Sequence, residues 1–110
     1  MAPIPQFTAE LLFHFREQGP ERLHRFVFTE SCYRRVPIRM EGVDGLNTVG
    51  MWTDTPETFQ AGDSVVVRCV LLAPELFDKS LKPGVEFDLW DGGFFATGEV
   101  LTRTEEGWPR

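Results

Sequence analysis

Cysteine is scarce in this 110-residue chain, limited to Cys32 and Cys69. They form no C-x-x-C pair, and no repeated Cys/His spacing suggests zinc, so neither a disulfide framework nor a metal-ligand set is expected. Long apolar runs are also missing. No stretch approaches the roughly 20 residues needed to cross a bilayer as a helix. MAPIPQFTAE, at residues 1–10, has neither the basic start nor the apolar run of a secretory signal. A soluble, cytoplasmic protein with no membrane partner is the expectation. Nothing matches G-x-x-x-x-G-K-[ST], the loop that cradles nucleotide phosphates. No segment keeps a 3.6-residue apolar period beyond two turns, which leaves room for one helical turn at most, between Pro74 and Lys82.

What is present is enough for a core. The chain is 42% hydrophobic and 25% charged, with ten phenylalanines. That composition is typical of a folded chain and not of a disordered one. Its length suits one domain over residues 1–110. The structured part should run from about Phe7 to Thr102, with residues 103–110 fraying.

The apolar residues recur with a period of two. Phe7, Ala9, Leu11, Phe13 and Phe15 alternate with more polar neighbours, as a half-buried strand requires. Gln18-Gly19-Pro20 breaks that pattern, and Leu23–Phe28 reads as an extended segment or an ordered loop. Val36, Ile38 and Met40 alternate around Pro37, whose missing N–H favours an edge or a bulge. Asp44-Gly45 signals a turn before a strand over Leu46–Thr53 broken at Gly50. Ala61-Gly62-Asp63 leads into the most apolar strand, Ser64–Leu72, where Cys69 shares the core face with Val65, Val67 and Leu71. Val85–Leu101 reads VEFDLWDGGFFATGEVL: two alternating runs joined by Asp91-Gly92-Gly93, residues that tolerate the positive φ of a tight hairpin. Gly98 marks a bulge or a close approach within the second run. Six or so short strands with punctuating Gly and Pro predict an all-β sandwich or barrel.

The charge is lopsided. The net value is −6, which argues against broad attraction to nucleic acid. Yet Arg22, Arg25, Arg34, Arg35 and Arg39 face a single acid, Glu30, across residues 22–39. From Pro56 onward, acids outnumber bases two to one.

The order of these segments resembles the carboxy-terminal β-barrel domain of elongation factor Tu and related translation GTPases. The likeness spans roughly Phe7–Thr102. It opens with F-x-A-E at Phe7–Glu10. CYRRVPIRMEGVDG, Cys32–Gly45, is similar to the family's tyrosine-arginine stretch ending in R-x-x-x-V-x-G, here Arg39, Val43 and Gly45. Phe59–Pro74 resembles its turn, long apolar strand and closing proline, with Ala61 where the family has proline. Phe87–Gly93 looks like its last hairpin. The Glu75–Gly84 loop is longer than the family's, and Phe94-Phe95 stands where polar residues are usual. The resemblance implies a six- to seven-stranded closed β-barrel of the translation-factor type, free-standing, with Val85–Leu101 closing it and Gly98 permitting the curvature. The expected core includes Phe7, Ala9, Leu11, Phe13, Ile38, Val65, Val67, Cys69, Leu71, Phe87, Leu89 and Val100. Without the GTP-binding loop, GTP hydrolysis is excluded for this chain alone. The family's barrel contacts its GTPase domain, aminoacyl-tRNA and an exchange factor, so the implied role is a surface one.

Two groups are candidate partner-binding sites. Tyr33, Arg34, Arg35 and Arg39, if near one another at a rim, would make a forked donor site for phosphate or carboxylate. The alternative is that they pair with the chain's own acids. Trp90 and Asp91 form the second group. Alternation puts Trp90 opposite the core face, where it is an exposed anchor or is covered by Phe94, Phe95 and Trp108. His14 reads as a solvated strand residue, His24 lies among arginines, and Asp88 with Asp91 reads as turn chemistry ahead of an acid pair. No catalytic, metal or cofactor constellation is recognisable. The leading expectation is a non-enzymatic module binding a protein through a barrel rim, as a translation-factor mimic or an immunity factor. An RNA-binding accessory using Arg22–Arg39 is the second reading, an enzyme of unknown type the third. A homodimer is also expected, because a free-standing barrel must expose or cover its old interfaces.

Overall fold

The computed structural model describes residues 4–14, 25–28, 33–53 and 57–108, and of 25–28, 33 and 57 the backbone alone. Eight strands follow the two-residue alternation: β1 Phe7–Phe13, β2 Arg25–Phe28, β3 Tyr33–Met40, β4 Asn47–Trp52, β5 Glu57–Gln60, β6 Ser64–Leu71, β7 Glu86–Trp90 and β8 Phe94–Arg103. Six of them close into a barrel in the order β1-β6-β4-β3-β7-β8, with β8 pairing back onto β1. Every neighbouring pair is antiparallel. The ends of β1, β4 and β7 and the starts of β3, β6 and β8 therefore share one rim. Closure leaves no unpaired edge running the length of the sheet. Cys32, His24, Arg22, Phe15, Gln18-Gly19-Pro20 and Asp54–Pro56 lie outside the described residues.

The interior is filled by the core-facing set. Phe7, Ala9, Leu11, Ile38, Met51, Val67, Cys69, Leu89 and Ala96 are wholly enclosed. Every expected core residue is buried except Val65, which packs at the margin, one residue into β6. Cys69 is free, and burial pushes its thiol pKa well up.

Both ends of the barrel are plugged. At the rim where β1 ends, β2 and β5 form a separate two-stranded ribbon. Phe59 of that ribbon stacks on Phe13 with centroids 5.2 Å apart, and Phe13 lies 6.2 Å from Phe95. A two-stranded ribbon is marginal by itself, and it is tied to the barrel by this stack together with the Gly62 N–H donating to the Phe13 carbonyl (2.7 Å) and the Phe13 N–H donating to the Asp63 carbonyl (3.0 Å). At the opposite end, the segment between β6 and β7 makes a 3₁₀ turn, Pro74–Leu76, and buries Phe77 and Leu81. Each contributes about 2–3 kcal/mol of apolar burial.

Two local expectations need amendment, Gly50 and the frayed end, while Pro37 and Gly98 each take one of the two roles expected of them. Gly50 does not break its strand: it pairs with Arg35 on one side and Val70 on the other. Pro37 sits inside a barrel strand, but β7 pairs only with Ile38–Met40. At Pro37, then, the strand is paired with β4 alone among the described residues, the local edge that a residue without an N–H tolerates. Gly98 is no bulge. Its missing Cβ makes room for the ring of Phe87, directly opposite. The bulges fall beside it, at Leu101 against β1 and at Phe95 against β7, where the registers skip one residue. In place of the expected frayed end, Glu105–Gly107 forms a 3₁₀ turn and Trp108 is buried. The Trp108 indole N–H donates to the Gln6 carbonyl (3.2 Å), and the Arg103 guanidinium lies 4.1 Å over its ring. Arg103 also binds the Asp78 carboxylate and the Leu81 carbonyl, fastening the plug to β8.

Candidate functional site

β7 leaves the barrel wall at Trp90, and the turn Asp91-Gly92-Gly93 reverses the chain. Gly92 takes φ 75°, and the Asp91 N–H donates to the Gly93 carbonyl at 2.9 Å. The extra residue at Phe95 then changes which way the next side chains point. Trp90 pairs with Phe94, while Leu89 pairs with Ala96. Phe95 and Ala96 both turn inward, and Phe94 is left on the outer face with Trp90. Trp90 is 36% exposed.

Arg39 completes this outer cluster. Its guanidinium sits 4.1 Å from the centroid of Phe94 and donates to the Asp88 carboxylate at 3.0 Å. The two side chains are 53% and 34% exposed, so the pair is a surface one worth at most about 1 kcal/mol. Its greater effect is on orientation: a planar guanidinium held by carboxylate and ring is fixed before any partner arrives. Behind it the Thr97 hydroxyl donates to Asp88 (3.4 Å), and His14 Nε2 lies 3.3 Å from the same hydroxyl. His14 is half-buried against β8, not solvated as alternation alone suggests.

The arginine group does not assemble as a unit. Consecutive residues of β3 point to opposite faces. Arg34, paired with the enclosed Met51, turns toward the barrel mouth, while Arg35, paired with Gly50, is exposed on the outer wall. Arg39 shares the outer wall with Arg35 but is committed to Asp88 and Phe94. The structure describes the backbone of Tyr33, opposite Trp52, and not its side chain. The Asp88 carboxylate is bound by Arg39, whereas Asp91 serves the turn through its backbone N–H, which donates to the Gly93 carbonyl. Of the proposed covers for Trp90, Phe94 lies beside it, Phe95 stacks inside on Phe13, and Trp108 sits at the other end of the barrel.

A groove of about 480 Å³ runs below the cluster, lined by Arg39, Glu41, Glu86, Asp88 and Thr97 among others. A second, of about 380 Å³, adjoins it at Glu86 and Thr97 and extends to Glu10 and Glu99. Glu10, Glu99 and Glu86 stand directly opposite one another across β1, β8 and β7. Among the described residues no group of three His, Cys, Asp or Glu is placed to hold a metal ion, and no helix is long and apolar enough to cross a membrane. No protein-family model and no curated protein matches this chain.

Phe94, Asp88 and Thr97 are the members of the cluster that sequence reasoning did not select. The signal for Phe94 was the Phe94-Phe95 pair after the double glycine; Asp88 and Thr97 join it through the β3–β7–β8 register. Two aromatics in succession cannot both face the core of a regular strand.

Proposed function

We propose that this chain is a non-enzymatic interaction module, a cytoplasmic barrel of the translation-factor type that binds a protein partner through the hairpin rim. The observation that carries the reading is the outward pair Trp90–Phe94 with Arg39 stacked on Phe94. Tryptophan and arginine are the residue types that dominate binding energy at protein interfaces, and here both are on a rigid wall beside a tight turn. Arg35 on the same outer face extends the surface, and Asp91 borders it. Support for the family likeness is the closed six-stranded barrel itself, which is the architecture that likeness implies. A mimic of the translation factor's barrel, or an immunity factor, would use such a face in the same way.

The test is affinity capture from cell lysate with wild-type protein beside Trp90→Ser and Arg35→Glu, each with and without RNase. A protein retained by the wild type after RNase and lost with Trp90→Ser is the expected result. Equal retention by all three baits would place the partner elsewhere. A partner released by RNase would replace this reading with the RNA-binding one.

A further inference from the structure

The barrel wall that carries the row of glutamates also carries apolar side chains, and the strand register fixes where they stand. Val66 of β6 lies directly opposite Glu10 of β1. Leu12, two residues on from Glu10, points to the same outer face, which makes Val66 and Leu12 diagonal neighbours on it. Val66 is 55% exposed and Leu12 51%. Leu101, the extra residue of the β8 bulge against β1, is exposed two residues on from Glu99. The two adjoining grooves are cut into this face. The smaller is lined by Leu12, Glu10 and Glu99, and the larger has Glu86 with the buried Met40 and Phe87 among its lining.

The charges on and around this face say what covers it. Glu10, Glu86 and Glu99 are exposed and in no ion pair with any described residue. The Glu41 carboxylate accepts the Glu86 N–H (3.0 Å), Asp88 is held by Arg39, and Asp63, before β6, accepts the Gln60 N–H. Asp44 is exposed in the turn after β3. The bases are fewer. Arg39 is committed to Asp88 and Phe94, Arg68 is half-buried on β6 opposite Thr8, and Lys82 is exposed in the turn before β7. A second copy of this wall would set like charges against like, so the face is not its own partner. Glutamates directly opposite one another cost the barrel stability, a local conflict of the kind that folded chains keep at functional sites.

We propose that this wall docks a basic, extended segment of a partner protein, whose Lys or Arg side chains reach the Glu10–Glu99–Glu86 row while its apolar side chains cover Leu12 and Val66. Neighbouring strands about 4.8 Å apart spread the three glutamates over roughly 10 Å, the reach of two basic residues two or three positions apart in an extended chain. Lysine and arginine stems lie on apolar surface while their heads meet carboxylates, which suits a face that mixes the two. A bound segment turns the repulsion within the row into attraction, so binding also stabilises the barrel. The face does not use Trp90, so it stands or falls apart from the hairpin rim.

Fluorescence anisotropy of two labelled peptides, Lys-Leu-Lys-Leu-Lys and Lys-Ser-Lys-Ser-Lys, titrated with the full chain tests this. The leucine peptide should bind the wild type more tightly than the serine one, and less tightly as salt is raised. Glu99→Lys, which relieves the row and so does not endanger the fold, should weaken binding by about tenfold or more. Glu75→Lys makes the same change in net charge at an exposed position that lines neither groove, and should weaken it far less. Trp90→Ser should leave it unchanged. Wild-type protein that binds neither peptide overturns the proposal. So does equal weakening by Glu75→Lys, which would mean attraction to net charge alone, or equal affinity for the two peptides, which would leave Leu12 and Val66 without a role. Loss of binding with Trp90→Ser would overturn it too, by moving the segment to the rim.

Discussion

Gly98 and Phe87 show how one residue sets its neighbour. A Cβ at position 98 would overlap the Phe87 ring. Gly98→Ala is expected to destabilise the barrel by about 2 kcal/mol in urea denaturation, as overpacking does. In Gly98→Ala/Phe87→Leu part of that loss should be recovered, because the smaller side chain vacates the space. Cys69 offers a second test at this scale. Burial raises its thiol pKa above the ordinary value of 9.0. The native state therefore keeps a proton that the unfolded chain releases, and stability falls as pH rises above about 9, by up to about 1.4 kcal/mol per pH unit for this group. Comparing the alkaline stability slope of the wild type with that of Cys69→Ala isolates the effect: the variant should be the flatter of the two. That Cys69 is a core residue was legible from its place among Val65, Val67 and Leu71. That Gly98 accommodates Phe87 was not, since nothing in the local pattern says which residue lies opposite.

Elements impose constraints that single residues do not. The row Glu10–Glu99–Glu86 sets like charges directly opposite across three strands, an arrangement that costs stability. Glu99→Lys should turn two repulsions into two attractions and stabilise the fold by about 0.5 kcal/mol. The gain should be larger at low salt than at high salt, as denaturation at two ionic strengths will show. The carboxy-terminal turn makes the opposite point. Trp108 is enclosed by Gln6 and Arg103, so Trp108→Ala should cost about 3 kcal/mol and expose the end of β8 to proteolysis. Strand positions and the closing hairpin could be read from alternation and turn residues. Trp108 could not, because its partners are far away in sequence and the local pattern after Thr102 holds no period. The bulge at Phe95 was equally hidden: the two aromatics announced an irregularity, but only the pairing with β7 says which of them turns outward.

At the scale of the whole molecule, the two ends of the barrel differ in what they offer. One carries the Trp90–Phe94–Arg39 cluster beside Arg35, the other the plug that buries Phe77 and Leu81. Replacing Trp52 and Trp108 by Phe leaves Trp90 as the sole tryptophan, and iodide should quench its fluorescence readily, as expected of a side chain 36% exposed. Quenching no stronger than that of a buried indole would remove the anchor from the proposed rim. The mixed charge of the chain also resolves in space. Arg39, part of the basic window in sequence, is spent on Asp88 of the acidic half, because β3 and β7 are neighbours in the barrel.

The sequence by itself determined the all-β class, most strand positions, the closing hairpin and a part of the core that leaves out the enclosed Met51, Phe77, Leu81 and Ala96. These depend on a two-residue period and on Gly, Pro and Asp at turns, which are local properties of the chain. Tertiary structure decided which arginines stand together, where Phe94 and Trp108 point, and which faces stay open. Those depend on strand order and register: a shift of one residue between β7 and β8 moves an aromatic from the core to the surface, and no local pattern records it.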